Sequence, residues 1–128
     1  MVDPILQSGS FQLAQKMLDA SALRQEAIAS NIANVDTPGY HRIDVAPEFS
    51  QQLKSAYEAG ESPAANDLLK PRLTEDPTAR AVRPDGNNVG IERELLAMNR
   101  NTVEYDFESE VVSQNIKQLR IAITGNPS

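Results

Sequence analysis

Hydrophobic residues recur through the last third of the chain in alternating steps of four and three. Ile91, Leu95, Met98, Thr102, Tyr105, Ser109, Val112, Ile116, Leu119 and Ile123 form one stripe, apolar at all positions but Thr102 and Ser109. This period marks a helix that lays one face along another helix. Glu92 and Glu94 near its start and Lys117 and Arg120 near its end suit the helix dipole. Asn88 is placed to cap the helix and Gly125 to stop it. A helix over residues 91–123 spans roughly 50 Å at 1.5 Å per residue, long for a compact domain of this size.

The first third predicts a second long helix. Asp3 can cap it, and Pro4 suits its first turn. Phe11, Ala14, Leu18, Ser21, Gln25, Ile28, Ile32 and Val35 step by threes and fours. Leu6, Leu13, Met17, Ala20 and Ala27 make a second apolar row. A helix with two such faces needs more than one partner helix. Residues 41–88 differ: Pro47, Pro63, Pro71, Pro77 and Pro84 interrupt them, and no long period survives. A short helix over 47–59 would gather Phe49, Leu53, Ala56 and Tyr57 on one face, with Gly60 ending it. From residue 61 to 88 the pattern predicts loop and short extended pieces.

The expected fold is all-α. Two long N- and C-terminal helices pair as an antiparallel coiled coil, joined by an irregular, Pro-containing middle segment. Residues 1–40 and 89–128 together form one domain, which holds the fold, while 41–88 decorate it.

Composition narrows the function. Only 5% of the 128 residues are aromatic and none is Trp, so the core is small or shared with neighbours. A net charge of −6 disfavours a nucleic-acid backbone or an anionic lipid surface as partner. The absence of Cys removes disulfides and thiolate chemistry. No run approaches the length of a membrane span. Asp3 stands where a cleavable signal peptide would carry positive charge, so export would use a route without one. No nucleophile–base pair or phosphate loop is visible; an enzyme, a cofactor and a small-molecule substrate are not expected.

The stretch Ser30-Asn31-Ile32-Ala33-Asn34-Val35-Asp36-Thr37-Pro38-Gly39-Tyr40 carries the most information. Locally it is a helix exit. Asn34 can satisfy loose carbonyls, Pro38 cannot continue a helix, and Gly39 permits a reversal. The run Asn31, Ile32, Ala33, Asn34, Thr37, Gly39 and Tyr40 resembles the signature of the bacterial flagellar rod and hook proteins. It stands where that family places it, at the end of the N-terminal helix. Arg83-Pro84-Asp85-Gly86-Asn87-Asn88-Val89, followed by Glu92, Glu94 and Met98, resembles the entry to the C-terminal helix in a proximal member of the family. The resemblance covers roughly the first 50 and last 45 residues.

It implies a structural subunit, exported through the flagellar type III channel without a cleaved signal and assembled helically in the periplasmic rod. The implied partners are further copies, other rod proteins, the adaptor at the membrane ring and the export gate. Phe49 and Leu53 resemble the element that the gate is thought to read. A plain contact between residues four apart on a short helix is the preferred reading of that pair.

Other features have plainer readings. His41 lacks a ligand or triad partner in the sequence. Glu104, Asp106, Glu108 and Glu110 suggest a solvated helix surface, with Arg100 placed to pair with Glu104. Asp85 to Asn88 lacks the downstream glutamate of a calcium loop and reads as a turn plus cap. The packing interface is expected at Phe11, Leu18, Ile28, Ile32, Ile91, Leu95, Met98, Tyr105, Val112, Ile116, Leu119 and Ile123. A small acidic coiled-coil adaptor or secretion chaperone is the competing class. It has no need of the turn signature.

Overall fold

A computed structural model describes residues 9–60, 69–80 and 83–125, with the backbone alone for Gly9, Ser10, Leu119 and Ala122. The cap expected at Asp3 and Pro4, and Leu6 of the second apolar row, lie outside the described residues, as does the side chain of Leu119.

The described residues form three helices and a two-stranded sheet. The order is α1 (Gly9–Ala33), β1 (Ile43–Val45), α2 (Pro47–Glu58), β2 (Leu73–Glu75) and α3 (Ile91–Thr124). Uninterrupted by Pro from residue 9 to 37 and rich in Ala, α1 follows intrinsic preference. In α2, Pro47 sits in the first turn, where its missing N–H has no consequence. Gly60, at φ 76°, turns the chain away after it. Gly125 ends α3 in the left-handed conformation, its N–H donating to the Ile121 carbonyl at 2.7 Å. Gly90, in extended conformation, precedes α3 without a side-chain cap. Asn88 is therefore not the cap: its Oδ1 accepts the Arg42 N–H instead (2.6 Å).

The long helices lie side by side, and the seam differs from the predicted stripe. Among the described side chains of α3 the buried ones are Glu94, Asn101 and Glu108, one heptad apart and all polar. Met98 and Val112 flank this line half-buried. Ile91, Leu95, Tyr105, Ile116 and Ile123, expected in the interface, are exposed. The helix is rotated so that its hydrophilic heptad meets α1, because α1 offers polar partners there. Ser21 Oγ donates to Glu108 Oε2 (2.7 Å). Asn101 Nδ2 donates to the Ser21 carbonyl and to Gln25 Oε1 (both 2.9 Å). On the α1 side, Phe11 and Ile28 are buried and Leu18 and Ile32 half-buried.

The middle segment is not decoration. Val45, Phe49 and Leu53 are buried with Ala20 of α1, and Leu13, Leu23 and Leu73 pack around them. α2 thus covers the second apolar row of α1, as an amphipathic helix must bury its stripe. The segment expected to hold loop and short extended pieces contains β2. It pairs antiparallel with β1, Asp44 facing Thr74, and the ladder extends through Ala46 N–H to Arg72 O (2.8 Å) and Asp76 N–H to Arg42 O (2.9 Å).

Candidate functional site

The exit of α1 and the approach to α3 meet in one knot of side-chain amides. Asn31 uses all its hydrogen-bonding capacity. Its Nδ2 donates to the Ile43 carbonyl (2.9 Å) and to Glu94 Oε2 (3.2 Å). Its Oδ1 accepts from the Ile43 N–H (3.0 Å) and the Tyr40 hydroxyl (3.1 Å). Tyr40 Oη in turn lies 3.1 Å from Ser30 Oγ. A fully buried asparagine so matched aligns β1 against the last turn of α1.

The open carbonyls at that helix end are closed by residues far away in sequence. Asn34 Nδ2 reaches back to Ser30 O (2.8 Å), and its Oδ1 accepts from Thr37 Oγ1 (3.1 Å). Asn87 Nδ2 donates to the carbonyls of Asn34, Val35 and Thr37 at 2.9, 3.1 and 2.9 Å. Asn87 Oδ1 accepts from Val89 N–H (2.7 Å). Arg83 Nη2 also donates to the Val35 carbonyl. The loop entering α3 thereby caps α1, satisfying groups that a helix end leaves bare. Two left-handed glycines meet here, Gly39 at φ 74° and Gly86 at φ 83°. A Cβ on Gly86 would stand 3.6 Å from Gly39 Cα, an ordinary contact, so the constraint is the backbone angle.

Arg42 joins this knot to the sheet. Its Nε donates to Glu94 Oε1 (2.5 Å) and its Nη1 to Asp76 Oδ2 (2.6 Å), with Asp44 Oδ2 at 3.4 Å. Burial opposes the Arg42 charge. Hydrogen bonding to Glu94, then the charges of Glu94, Asp44 and Asp76, outweigh it and raise the Arg42 pKa above the ordinary value. Burial likewise works against the Asp76 carboxylate, but hydrogen bonds from Thr78 and the Arg42 charge hold its pKa low. For Glu108 burial prevails: aided by Glu104 and opposed by the Ser21 hydrogen bond and Arg24, it pushes the carboxyl pKa up. Glu108 is therefore not the solvated surface residue expected. Glu104 lies 3.9 Å from Arg24 Nη1 rather than paired with Arg100.

The arrangement holds the exit of α1, β1 and the approach to α3 in register within one chain. No His, Asp or Glu group suited to a metal ion occurs among the described residues. His41 lies exposed, 3.4 Å from Glu75. No described helix is long and apolar enough to cross a membrane.

Residues 11–41, which include most of the knot's first strand of contacts, match the family model for flagella basal body rod protein. The chain is 30% identical to the flagellar basal body rod protein FlgB of Escherichia coli K12, over 98% of this chain and 100% of that protein. The chain belongs to the flagellar basal-body rod protein family. The rod proteins FlgB of Yersinia enterocolitica (32% identity, 87% of this chain, 90% of the relative) and Borrelia hermsii (30%, 89%, 95%) are similar over comparable lengths. This rod protein is a structural component of the basal body. The near full-length match decides between the two classes that the sequence left open, against the secretion chaperone.

In this rod protein the signature residues divide by role. Asn31, Asn34, Thr37 and Tyr40 bond to one another's surroundings. Ile32 is half-buried, Ala33 and Pro38 are exposed, and Gly39 supplies the turn. Phe49 and Leu53 are both buried in the core, so the folded chain does not display them. Sequence reasoning passed over Arg42 and Asn101, and read Asn87 only as part of a turn and Glu94 only as a charge at the helix start. For Glu94, Asn101 and Glu108 a signal existed, since polar residues at a strict spacing of seven can form a seam as apolar ones do.

Proposed function

We propose that this rod component occupies the proximal, periplasmic part of the rod and reaches it through the flagellar type III channel without a cleaved signal. Its terminal helices act as one antiparallel coiled-coil unit. They pack against those of further copies and of other rod proteins, and line the inner tube. The membrane-ring adaptor and the export gate are its partners at the base, the gate reading Phe49 and Leu53 before the chain folds. Asn31, Asn34, Thr37, Gly39 and Tyr40 set how the chain leaves the inner helix.

One observation carries this reading. Among the described residues, the fully buried positions of α3 are polar, while Ile91, Leu95, Leu96, Val103, Phe107, Ile116 and Ile123 stand bare. Exposed apolar rows on that scale mark a surface that other chains cover. The reading is tested with Leu95→Asp combined with Ile116→Asp, scoring secretion of the subunit, rods in isolated basal bodies, and swimming. Secreted, folded subunit with missing rods is expected. Normal rods and swimming would remove the helix-packing claim.

A further inference from the structure

A groove of about 480 Å³ opens between α3 and the β1–β2 hairpin. Its α3 wall presents Arg93, Leu96 and Arg100, at helical steps of three and four and all exposed. Ser50, Pro77 and Thr78, also exposed, line it from α2 and from the turn after β2.

The charges in this groove are unevenly matched. Its acids are already engaged by arginines of the chain. Asp44 binds Arg24 at 3.0 Å, Asp76 binds Arg42 at 2.6 Å, and Glu104 stands 3.9 Å from Arg24. Arg93 and Arg100 have no ion-pair partner among the described residues. In a chain of net charge −6, two open guanidinium forks therefore flank one exposed leucine. Such forks match carboxylates in shape as well as in charge.

Size decides the form of the guest. The two arginines are separated by about 10.5 Å along α3, at 1.5 Å per residue. A guest helix about 10 Å across would fill roughly 800 Å³ over that length, more than the groove encloses. An extended chain spans the same length with three residue steps of about 3.3 Å. The far wall suits an extended backbone. Ser50 Oγ and Thr78 Oγ1 donate within the chain, to Pro47 O (3.2 Å) and Asp76 Oδ1 (2.7 Å). Each hydroxyl keeps a lone pair that can accept a guest N–H.

We propose that this groove binds a short, extended, acidic segment of a second protein. Two carboxylates of that segment sit on Arg93 and Arg100, and an apolar side chain between them sits on Leu96. The contact is independent of how terminal helices pack against one another, so the two readings stand or fall separately.

The test lets the groove choose its ligand. Random octapeptides displayed on phage are panned on the purified full chain and counter-selected on Arg93→Glu with Arg100→Glu. Both arginines are exposed and unpaired, so that variant should fold; circular dichroism and the urea midpoint check it. Arg93→Gln with Arg100→Gln replaces it if it does not. The enriched peptides should carry two Asp or Glu residues about three positions apart, with an apolar residue between them. The leading peptide is then synthesised with blocked ends and titrated by calorimetry. Replacing its acids with the corresponding amides should weaken binding at least tenfold, and so should the charge variant of the groove. The same peptide with Lys in place of its acids should bind the Arg93→Glu, Arg100→Glu chain and not the native one.

No shared sequence among the selected peptides, or a neutral or basic one, would overturn the proposal. So would binding that is indifferent to the arginines. Displacement of the peptide by an equal concentration of inorganic phosphate would reduce the groove to a simple anion site. Self-association of the native chain in sedimentation, abolished by the arginine variant, would make a second copy the occupant and overturn the second protein.

Discussion

The two sides of α3 invert the usual division of labour in a helix. The side facing α1 is polar and buried, with Glu94, Asn101 and Glu108 in line. The other sides carry bare apolar residues among charged ones, with Leu95, Leu96, Val103, Phe107 and Ile116 open. In a self-contained bundle the apolar stripe would turn inward. Here hydrogen bonds and charges fix the register within one subunit, and hydrophobic surface is left exposed, free for the contact between subunits proposed above. Directional polar contacts specify one geometry, the best-attested use of a buried polar residue in a helix pair. Non-directional apolar surface, on the proposed assembly, supplies the area that joins subunits.

The largest expected effect comes from the polar side. Glu94→Ala removes the carboxylate that binds both Arg42 and Asn31, leaving a buried guanidinium short of one partner. It should destabilise the isolated subunit by about 3 kcal/mol, read as a lower urea midpoint at unchanged slope. Asn31→Ala strips four hydrogen bonds from the knot and should cost about 2 kcal/mol by the same measurement. In cells, Asn31→Ala with Asn34→Ala should yield secreted subunit and defective rods. A simple helix stop would tolerate that change, since Ala extends a helix up to Pro38. Gly39→Ala meets no steric obstacle but must hold φ near 74°, at about 1 kcal/mol.

On the bare side the stability effect should be near zero and the assembly effect complete. Ile116→Asp, which the sequence pattern alone would place inside the helix pair, falls on an exposed position. It should shift the thermal midpoint of the isolated subunit little while abolishing rods. A large loss of stability there would mean that the helix is rotated from the geometry described.

How much was legible follows from this inversion. The helices α1 and α3, the short helix from Pro47 and the stop at Gly125 follow from periodicity and from Pro and Gly chemistry, which act locally. The seam was misread because two heptad rows run along α3. The apolar row was assigned inward by the rule for self-contained proteins. Glu108 looked solvated for the same reason, having only Ser21 of another helix to identify it. The pairing of β1 with β2 left no sequence trace, because each strand has three residues, too few to show alternation. Asn87 is a cap for a helix end some 50 positions earlier, which no local rule detects. The signature turn was readable as a motif; its hydrogen-bonding logic needed Ile43 and Glu94 brought beside Asn31.

The smallest effect has the opposite sign. Glu108 has a pKa raised above its ordinary value of 4.5, so the folded state holds this proton more tightly than the unfolded one. Its contribution is present at low pH and is lost as pH rises through the folded pKa. Glu108→Gln stays neutral and can still accept from Ser21. It should melt slightly higher than the native chain near neutrality and show a flatter pH dependence above 4.5. Asp76 runs the other way: its depressed pKa stabilises the fold above 3.8, and that contribution is lost as pH falls below it. The two windows are separable in one series of melting curves.

Hydrogen exchange on dilute, proven monomer tests the division between the two sides most directly. If the polar knot holds the subunit and neighbours hold the rest, amides of residues 28–34 and 91–101 should exchange slowly. Those of 110–124, C-terminal to the buried line of Glu94, Asn101 and Glu108, should exchange close to the rate of an open chain. Uniform strong protection from residue 91 to 124 in the monomer would contradict the account, because α3 would then need no neighbour to be a stable helix.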